Sequence, residues 1–311
     1  MIEIQDFLKD RGWELVEKKT KTRRFLTFVV NTPHGNSFLK VTNSETDLRT
    51  EIETEIWWNL TLKKIVQQLP QDKQIFRAPE VWAYGQEQSF GWYLSEYFDK
   101  PLLVDLRAPG YMDSLERELD NIVGILVTLD QVRVETNPGT SLYSEQGESA
   151  PYANLLKKVD SWLEKPLKAG FINSERVDQG KALIEKYRRY VKPALQHGDF
   201  VPWHMFRLDK NTIGIVDGEH ASLIKPRFYD LAYLYTRLYT KAHTKEQAKM
   251  ALNLFLEKRT LDKREFFLQF LPVVALRSFG MHADSFHDND YQNEARELLD
   301  FCLKENLSVF L

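Results

Sequence analysis

The chain of 311 residues contains a single cysteine, Cys302. One thiol cannot close an internal disulfide or build a cysteine-based zinc site, and it fits a reducing compartment. No uninterrupted apolar run reaches the roughly 18 residues that cross a bilayer. The opening MIEIQDFLKDRGW lacks the apolar centre of a secretory signal. The formal net charge is only -3, so neither a basic footprint for nucleic acid nor a one-signed face for a membrane is present. There is no internal repeat. These absences predict a cytoplasmic globular protein with no nucleic-acid or membrane partner; its oligomeric state is left open. One more absence is local. The stretch Lys18-Lys19-Thr20-Lys21-Thr22-Arg23-Arg24, between two predicted strands, has no glycine.

The composition, 43% hydrophobic and 28% charged, is that of a packed globular chain. The length suggests two domains, or two lobes around a cleft. Residues 2–12 read as a short amphipathic helix. Trp13–Lys18, Phe25–Asn31 and Ser37–Thr42 read as strands, the last two joined by the turn TPHG. A helix is predicted from Asp47 to about Val66, with Leu48, Ile52, Ile56 and Leu60 on one stripe. Ala78–Gln86 and Phe90–Tyr97 are two further strands. After Pro101 helical patterns dominate: Met112–Leu129, Ala153–Glu164, Ser174–Leu195, Lys245–Lys258, Lys263–Arg277 and Tyr291–Asn306. A polar, turn-rich stretch at 135–151 reads as a loop. The predicted class is α+β, with a strand-rich lobe over 1–97 and a helical lobe over 98–311.

The chemistry concentrates between Leu195 and Ala221. Asp199 lies between glycine and proline, in a loop of defined shape. HMFRL and TIGIVD then form a predicted hairpin around Asp209-Lys210-Asn211, which carries Asp217 back toward Asp199, with His204 between them. Two carboxylates so placed suit phosphoryl transfer: one addresses a hydroxyl, the other a metal on the phosphates. Either carboxylate taken alone reads more simply as a turn residue capping a strand end.

Three ordered segments narrow the choice. His197-Gly198-Asp199, the apolar strand Ile213–Val216 ending in Asp217-Gly218-Glu219, and Pro226-Arg227-Phe228-Tyr229-Asp230-Leu231-Ala232 together resemble the aminoglycoside phosphotransferase/choline kinase family, within the protein-kinase-like fold. The resemblance implies transfer of the γ-phosphate of ATP or GTP, with Mg2+ or Mn2+, to a hydroxyl of a small molecule that is aminoglycoside-, choline- or sugar-like. It implies that Lys40, in SFLKV, contacts the nucleotide phosphates and is held by a glutamate of the following helix. Of Glu51, Glu53 and Glu55, Glu53 is selected. Glu96, Tyr97 and Phe98 would form the hinge and wall of the adenine pocket. Asp199 would act on the acceptor hydroxyl, and Asp217 would bind metal with Glu219 close by. Asp230 would brace the catalytic loop and His197 would pack beneath it. Arg237 and Tyr235 read as packing or surface residues.

The chain departs from the family pattern twice. His204 stands where the family has a metal-binding asparagine; an imidazole there would serve as a metal ligand, contact a phosphate, or mark a lost second metal site. The turn at 18–24 lacks the glycines that let backbone N–H groups approach phosphates. An acidic stretch with Asp284, Asp288, Asp290 and Glu294 would suit a cationic acceptor, or simply a solvated helix start. Two other readings stand beside the kinase: a nucleotide-binding pseudokinase with a regulatory role, and a metal hydrolase on His197, His204 and His220, which lack an HExxH spacing.

Overall fold

The computed structural model describes residues 4–21, 24–42, 49–87, 90–132, 150–284, 288–306, 308 and 310–311. In chain order its elements are α1 (Ile4–Asp10), β1 (Glu14–Lys21), β2 (Phe25–Thr32), β3 (Gly35–Thr42), α2 (Arg49–Gln68), β4 (Phe76–Arg77), β5 (Val81–Gln86), β6 (Gly91–Glu96), α3 (Tyr111–Gln131), α4 (Ala150–Lys168), α5 (Ser174–Tyr187), β7 (Pro193–Gln196), β8 (Met205–Arg207), β9 (Ile213–Ile215), β10 (Ser222–Pro226), α6 (Tyr229–Thr240), α7 (Lys245–Arg259), α8 (Lys263–Asp284) and α9 (Asn289–Leu303). Two compact units emerge: Met1–Leu103 with Trp203–Ala221, and Val104–Pro202 with Ser222–Leu311.

The first unit is built on an antiparallel sheet of order β1-β2-β3-β6-β5. Apolar residues alternate along its strands and are buried on both faces. Phe28, Val30, Leu39, Val41, Trp92 and Leu94 pack with Phe7 and Leu8 of α1. Phe25 and Tyr93 pack with Ile52 and Ile56 of α2. Gly35, at φ 82°, closes the β2–β3 turn in a conformation that costs a glycine little. A second sheet, β4-β9-β8, completes the unit. Here β9 lies parallel to β4, Phe76 opposite Ile213. The first unit therefore runs past residue 97 and takes in the hairpin at 203–221. Parallel pairing joins strands far apart in sequence, which local patterning does not reveal.

The second unit is mainly helical, with β7 and β10 as its only sheet among the described residues. The predicted helix from Ser174 to Leu195 stops at Tyr187, followed by a short 3-10 turn and β7. Pro193 has no N–H to donate and disfavours helical backbone at Lys192. By length and composition α8 is apolar enough to cross a membrane, unlike any stretch singled out by uninterrupted apolar runs, yet 89% of its apolar window is buried inside the structure. It is the central core helix, with Phe266, Phe270 and Phe279 at 1% exposure or less. Most of the polar stretch at 135–151 lies outside the described residues.

His282, near the end of α8, is fully buried, with Nδ1 2.6 Å from Gln292 Oε1. Burial holds its pKa below the ordinary imidazole value. The unfolded chain therefore takes up this proton more readily than the folded one. The contribution is fully present above about pH 6.5 and is lost as pH falls below it, by at most about 1.4 kcal/mol per pH unit. Urea midpoints at pH 7.5 and 5.5 should fall more steeply for the wild type than for His282→Gln; equal slopes would remove His282 from the pH response.

Candidate active site

In the first unit, the inward alternation of β3 places Lys40 at 5% exposure, between Thr27 of β2 and Tyr93 of β6. A buried ammonium is costly unless matched, and this one is surrounded by carboxylates. Its Nζ lies 2.6 Å from Glu55 Oε2, 2.6 Å from Glu219 Oε2 and 3.7 Å from Asp217 Oδ1. The Phe25 ring lies 4.3 Å away. Burial pushes the Lys40 pKa down, but Glu55, Asp217 and Glu219 outweigh it and hold the group charged. Tyr93 donates its hydroxyl to Glu55 Oε1 at 2.6 Å, fixing the carboxylate from the other side.

The glutamate that meets Lys40 is thus Glu55 and not Glu53. Glu55 is 4% exposed, whereas Glu53 is exposed and lines a groove with Ile52, Trp57 and Trp92. The physical reason is helical phase. Glu55 stands three residues after Ile52 and four before Asn59, both buried, whereas adjacency to Ile52 turns Glu53 about 100° away.

Asp217 follows β9 at φ 68°, in the left-handed region, which aspartate tolerates better than most residues. Gly218 follows against Trp58 of α2: a Cβ there would lie 2.2 Å from the indole. This close approach seats Asp217 and Glu219 against the helix that carries Glu55. Desolvation raises the Asp217 pKa to about 6, against the pull of Lys40 and His204. Burial also pushes Glu219 up, but Lys40, His220 and Arg24 hold it below its ordinary value. His204 Nδ1 lies 3.7 Å from Asp217 Oδ2, and its carbonyl accepts the N–H of Val216 at 3.1 Å. Arg24, at the start of β2, pairs with Glu51 and with Glu219 Oε1 at 3.1 Å.

Of the expected hinge residues, Glu96 commits its carboxylate to Arg77, 2.7 Å from Nη2, and its N–H to Glu80. Tyr97 is half-buried, with Lys19 Nζ 5.2 Å from its ring. Phe98 does not wall an open pocket within this unit. It is 6% exposed and packs on Phe206 and on Gly214, where a Cβ would approach the ring to 2.4 Å.

In the second unit, β7 leads into the loop carrying Asp199, and Gly198 takes φ 90° at its bend. Asp230 of α6 holds that loop. Its carboxylate accepts the N–H of His197 at 2.6 Å and of Gly198 at 2.7 Å, while its own N–H donates to Gln196 Oε1 at 2.8 Å. Burial raises the Asp230 pKa to about 6, opposed by those two N–H groups. His197 is fully buried, its Nδ1 accepting the Asp199 N–H at 3.3 Å.

Sequence pattern missed the next turn of α6. Tyr233 hydrogen-bonds the Asp199 side chain and accepts from Arg237 Nη2 at 2.9 Å. Arg237 also reaches Asp284 at 2.8 Å and the Tyr291 hydroxyl at 2.6 Å. Arg237 is therefore part of the support of Asp199 and not a surface residue; Tyr235 is fully buried core. The i, i+3, i+7 spacing of Asp230, Tyr233 and Arg237 was the available signal. The acidic stretch is largely engaged: Asp284 on Arg237, Asp288 capping α9, and Glu294 3.0 Å from His243. Residues 285–287 lie outside the described residues.

A model of the family described as "Phosphotransferase enzyme family" matches residues 20–267. Among solved structures, a thermostable mutant of aminoglycoside phosphotransferase APH(4)-Ia, in ternary complex with ADP and hygromycin B, is similar at TM-score 0.65 and 12% identity, over 99% of both chains. A microcompartment-associated aminopropanol kinase is similar at TM-score 0.62 and 14% identity, over 100% of this chain and 98% of that one. Choline kinase LicA from Streptococcus pneumoniae is similar at TM-score 0.56 and 15% identity, over 97% and 98%. At such identities the likeness is one of fold, here the protein-kinase-like fold. No curated protein matches by sequence.

Two substitutions separate the glutamates. Glu55→Gln breaks the buried ion pair that ties α2 to Lys40 and should destabilise the protein by about 3 kcal/mol. Glu53→Gln, on the exposed side of α2, should stay within about 0.5 kcal/mol of the wild type. Chemical denaturation of both variants measures the difference; equal losses would contradict the assignment. Tyr233→Phe should lower turnover while leaving nucleotide affinity intact, checked by kinetics and titration side by side.

Proposed function

The chain belongs to the phosphotransferase enzyme family, and from that premise we propose that it transfers the γ-phosphate of ATP or GTP to a hydroxyl of a small molecule. The observation that carries this reading is the buried Lys40, held by Glu55, with Glu219 2.6 Å and Asp217 3.7 Å from the same ammonium. In such a transfer the acceptor oxygen bonds to the γ-phosphorus, the bond to the β-phosphate oxygen breaks, and the hydroxyl proton leaves. Asp199 takes the role of orienting the hydroxyl and receiving its proton, with Tyr233 and Asp230 keeping its carboxylate and backbone in place. Lys40 neutralises phosphate charge. Little covalent chemistry falls to the protein, so positioning and charge compensation supply the rate.

A divalent cation fits the residues present. Lys40 and Arg24 face the carboxylates of Glu51, Glu55, Asp217 and Glu219; two cations against four carboxylates leave two negative charges, the complement of one divalent ion. Asp217 and Glu219 offer the hard oxygen donors that Mg2+ prefers, and His204 adds a nitrogen that Mn2+ accepts more readily. When bound, the ion would neutralise phosphate charge. Glu55 stays with Lys40. The acceptor belongs to the class of small hydroxylated molecules, as hygromycin B does in the complex of the similar aminoglycoside phosphotransferase.

The alternative reading, a nucleotide-binding protein with little turnover, is favoured by His204 in place of the family asparagine. Calorimetric titration with ATP and GTP, each with Mg2+ and Mn2+, tests both. Binding should depend on metal and be lost in Asp217→Ala. Asp199→Asn should retain nucleotide binding and lose on the order of 10² to 10⁴ in turnover once an acceptor is found by screening amino alcohols and sugars. Binding with no turnover on any acceptor favours the regulatory reading. Binding of no nucleotide under any condition sinks both.

A further inference from the structure

We propose that Arg24 is a second phosphate-binding cation of the nucleotide site, the side chain by which the glycine-free β1–β2 turn reaches the phosphates. The inference rests on the phosphotransferase reading above and assigns a further residue to that site. The stretch from Lys18 to Arg24 has no glycine, so its main chain lacks the freedom that lets successive N–H groups close around an anion. A cationic side chain offers another route to a phosphate, and Arg24 is placed to provide one.

One carboxylate shows how. Glu219 bridges two cations: its Oε2 lies 2.6 Å from Lys40 Nζ and its Oε1 3.1 Å from an Arg24 terminal nitrogen. Lys40 and Arg24 thus converge on the two oxygens of one anion, as they would on two oxygens of one phosphate. The planar guanidinium fork suits that task better than an ammonium alone. Both cations also share the Phe25 ring, with Lys40 Nζ 4.3 Å and the Arg24 guanidinium carbon 5.3 Å from its centre. Glu51 of α2 pairs with the same Arg24 terminal nitrogen. Arg24 is therefore ordered before any ligand arrives, which lowers the entropic cost of binding. It is about 40% exposed in its side chain, accessible to an incoming anion, unlike Lys40 at 7%. In this arrangement Glu219 stands in for the phosphate.

The competing role is a plain brace, Arg24 tying β2 to α2 through Glu51. The two roles predict different ligand dependence. A brace acts on the fold and on every ligand alike; a phosphate contact acts only on ligands that carry phosphates. The full chain and its Arg24→Ala, Arg24→Gln and Arg24→Lys variants would be titrated with ATP, ADP and adenosine in Mg2+, with the melting temperature of each ligand-free protein recorded. Arg24→Ala and Arg24→Gln should weaken ATP and ADP about tenfold, the loss of one charge-assisted contact, and leave adenosine unchanged. Arg24→Lys should fall between them and the wild type. The glutamine variant keeps a donor toward Glu51, so it carries the test if the alanine variant does not fold. Equal loss for adenosine and ATP, or unchanged ATP affinity in folded variants, would overturn the proposal. The two levels separate cleanly. ATP binding by the wild type that is lost in Asp217→Ala but untouched at Arg24 removes only this residue's role. No nucleotide binding by the wild type removes the phosphotransferase reading as well.

Discussion

A single buried ammonium organises the first unit. Lys40 is enclosed by the sheet and by α2, and such a charge is tolerated only where counter-charges and hydrogen bonds surround it. The chain supplies them from three places: Glu55 from α2, Glu219 and Asp217 from the far end of the β8–β9 hairpin, and the Phe25 ring from β2. Each of these must arrive by a different part of the fold. The parallel pairing of β9 on β4 brings the hairpin in. The approach of Gly218 to Trp58 locks it against α2. The cluster therefore gathers three carboxylates around the one ammonium, more than a simple ion pair.

The second unit solves a different problem, how to hold a loop still. Its loop contains a glycine at φ 90° and a buried histidine, and neither gives rigidity by itself. The rigidity comes from α6. Asp230 accepts two main-chain N–H groups of the loop, and Tyr233, one turn later, takes the Asp199 side chain. Arg237 polarises that tyrosine and is itself anchored on Asp284 and Tyr291. Main chain and side chain of the loop are thus referred to one helix.

Much of this was legible in the residues. The α+β class, the strand-rich first part and helical second, and the three motif segments follow from periodicity and spacing, because strands and helices imprint their own repeat on the apolar positions. The lysine on the third strand came from the family resemblance, which asks for one there. Two kinds of error remain instructive. Glu53 fits the family's step of a glutamate followed, after two intervening residues, by apolar positions, Ile56 and Trp57, whereas the phase of the helix turns Glu55 inward. The packing of Phe98 was not legible either: Gly214, distant in sequence, leaves just enough room to receive its ring. Helix α5 was drawn too long because apolar periodicity continues past Tyr187, while Pro193 makes the backbone extended. For α5 the missing information was the local constraint of Pro193; for Glu55 and Phe98 it was helical phase and a partner far along the chain. The role of Arg237 was hidden for the same reason: its partners Tyr291 and Asp284 are some fifty residues away.

The face of α6 opposite Asp230 and Tyr233 has its own significance. Tyr235 and Tyr239 pack there among Phe270, Phe301 and Phe310, with ring centres 6.0 to 6.5 Å apart. A close-packed aromatic layer does not absorb a change of volume locally; it shifts the elements that border it. Because α6 also carries Asp230 and Tyr233, such a shift moves the groups that hold the Asp199 loop. The geometry of the Asp199 loop is thus set in part by an aromatic layer that touches none of its residues, and a change of side-chain volume there reaches the loop through the helix alone.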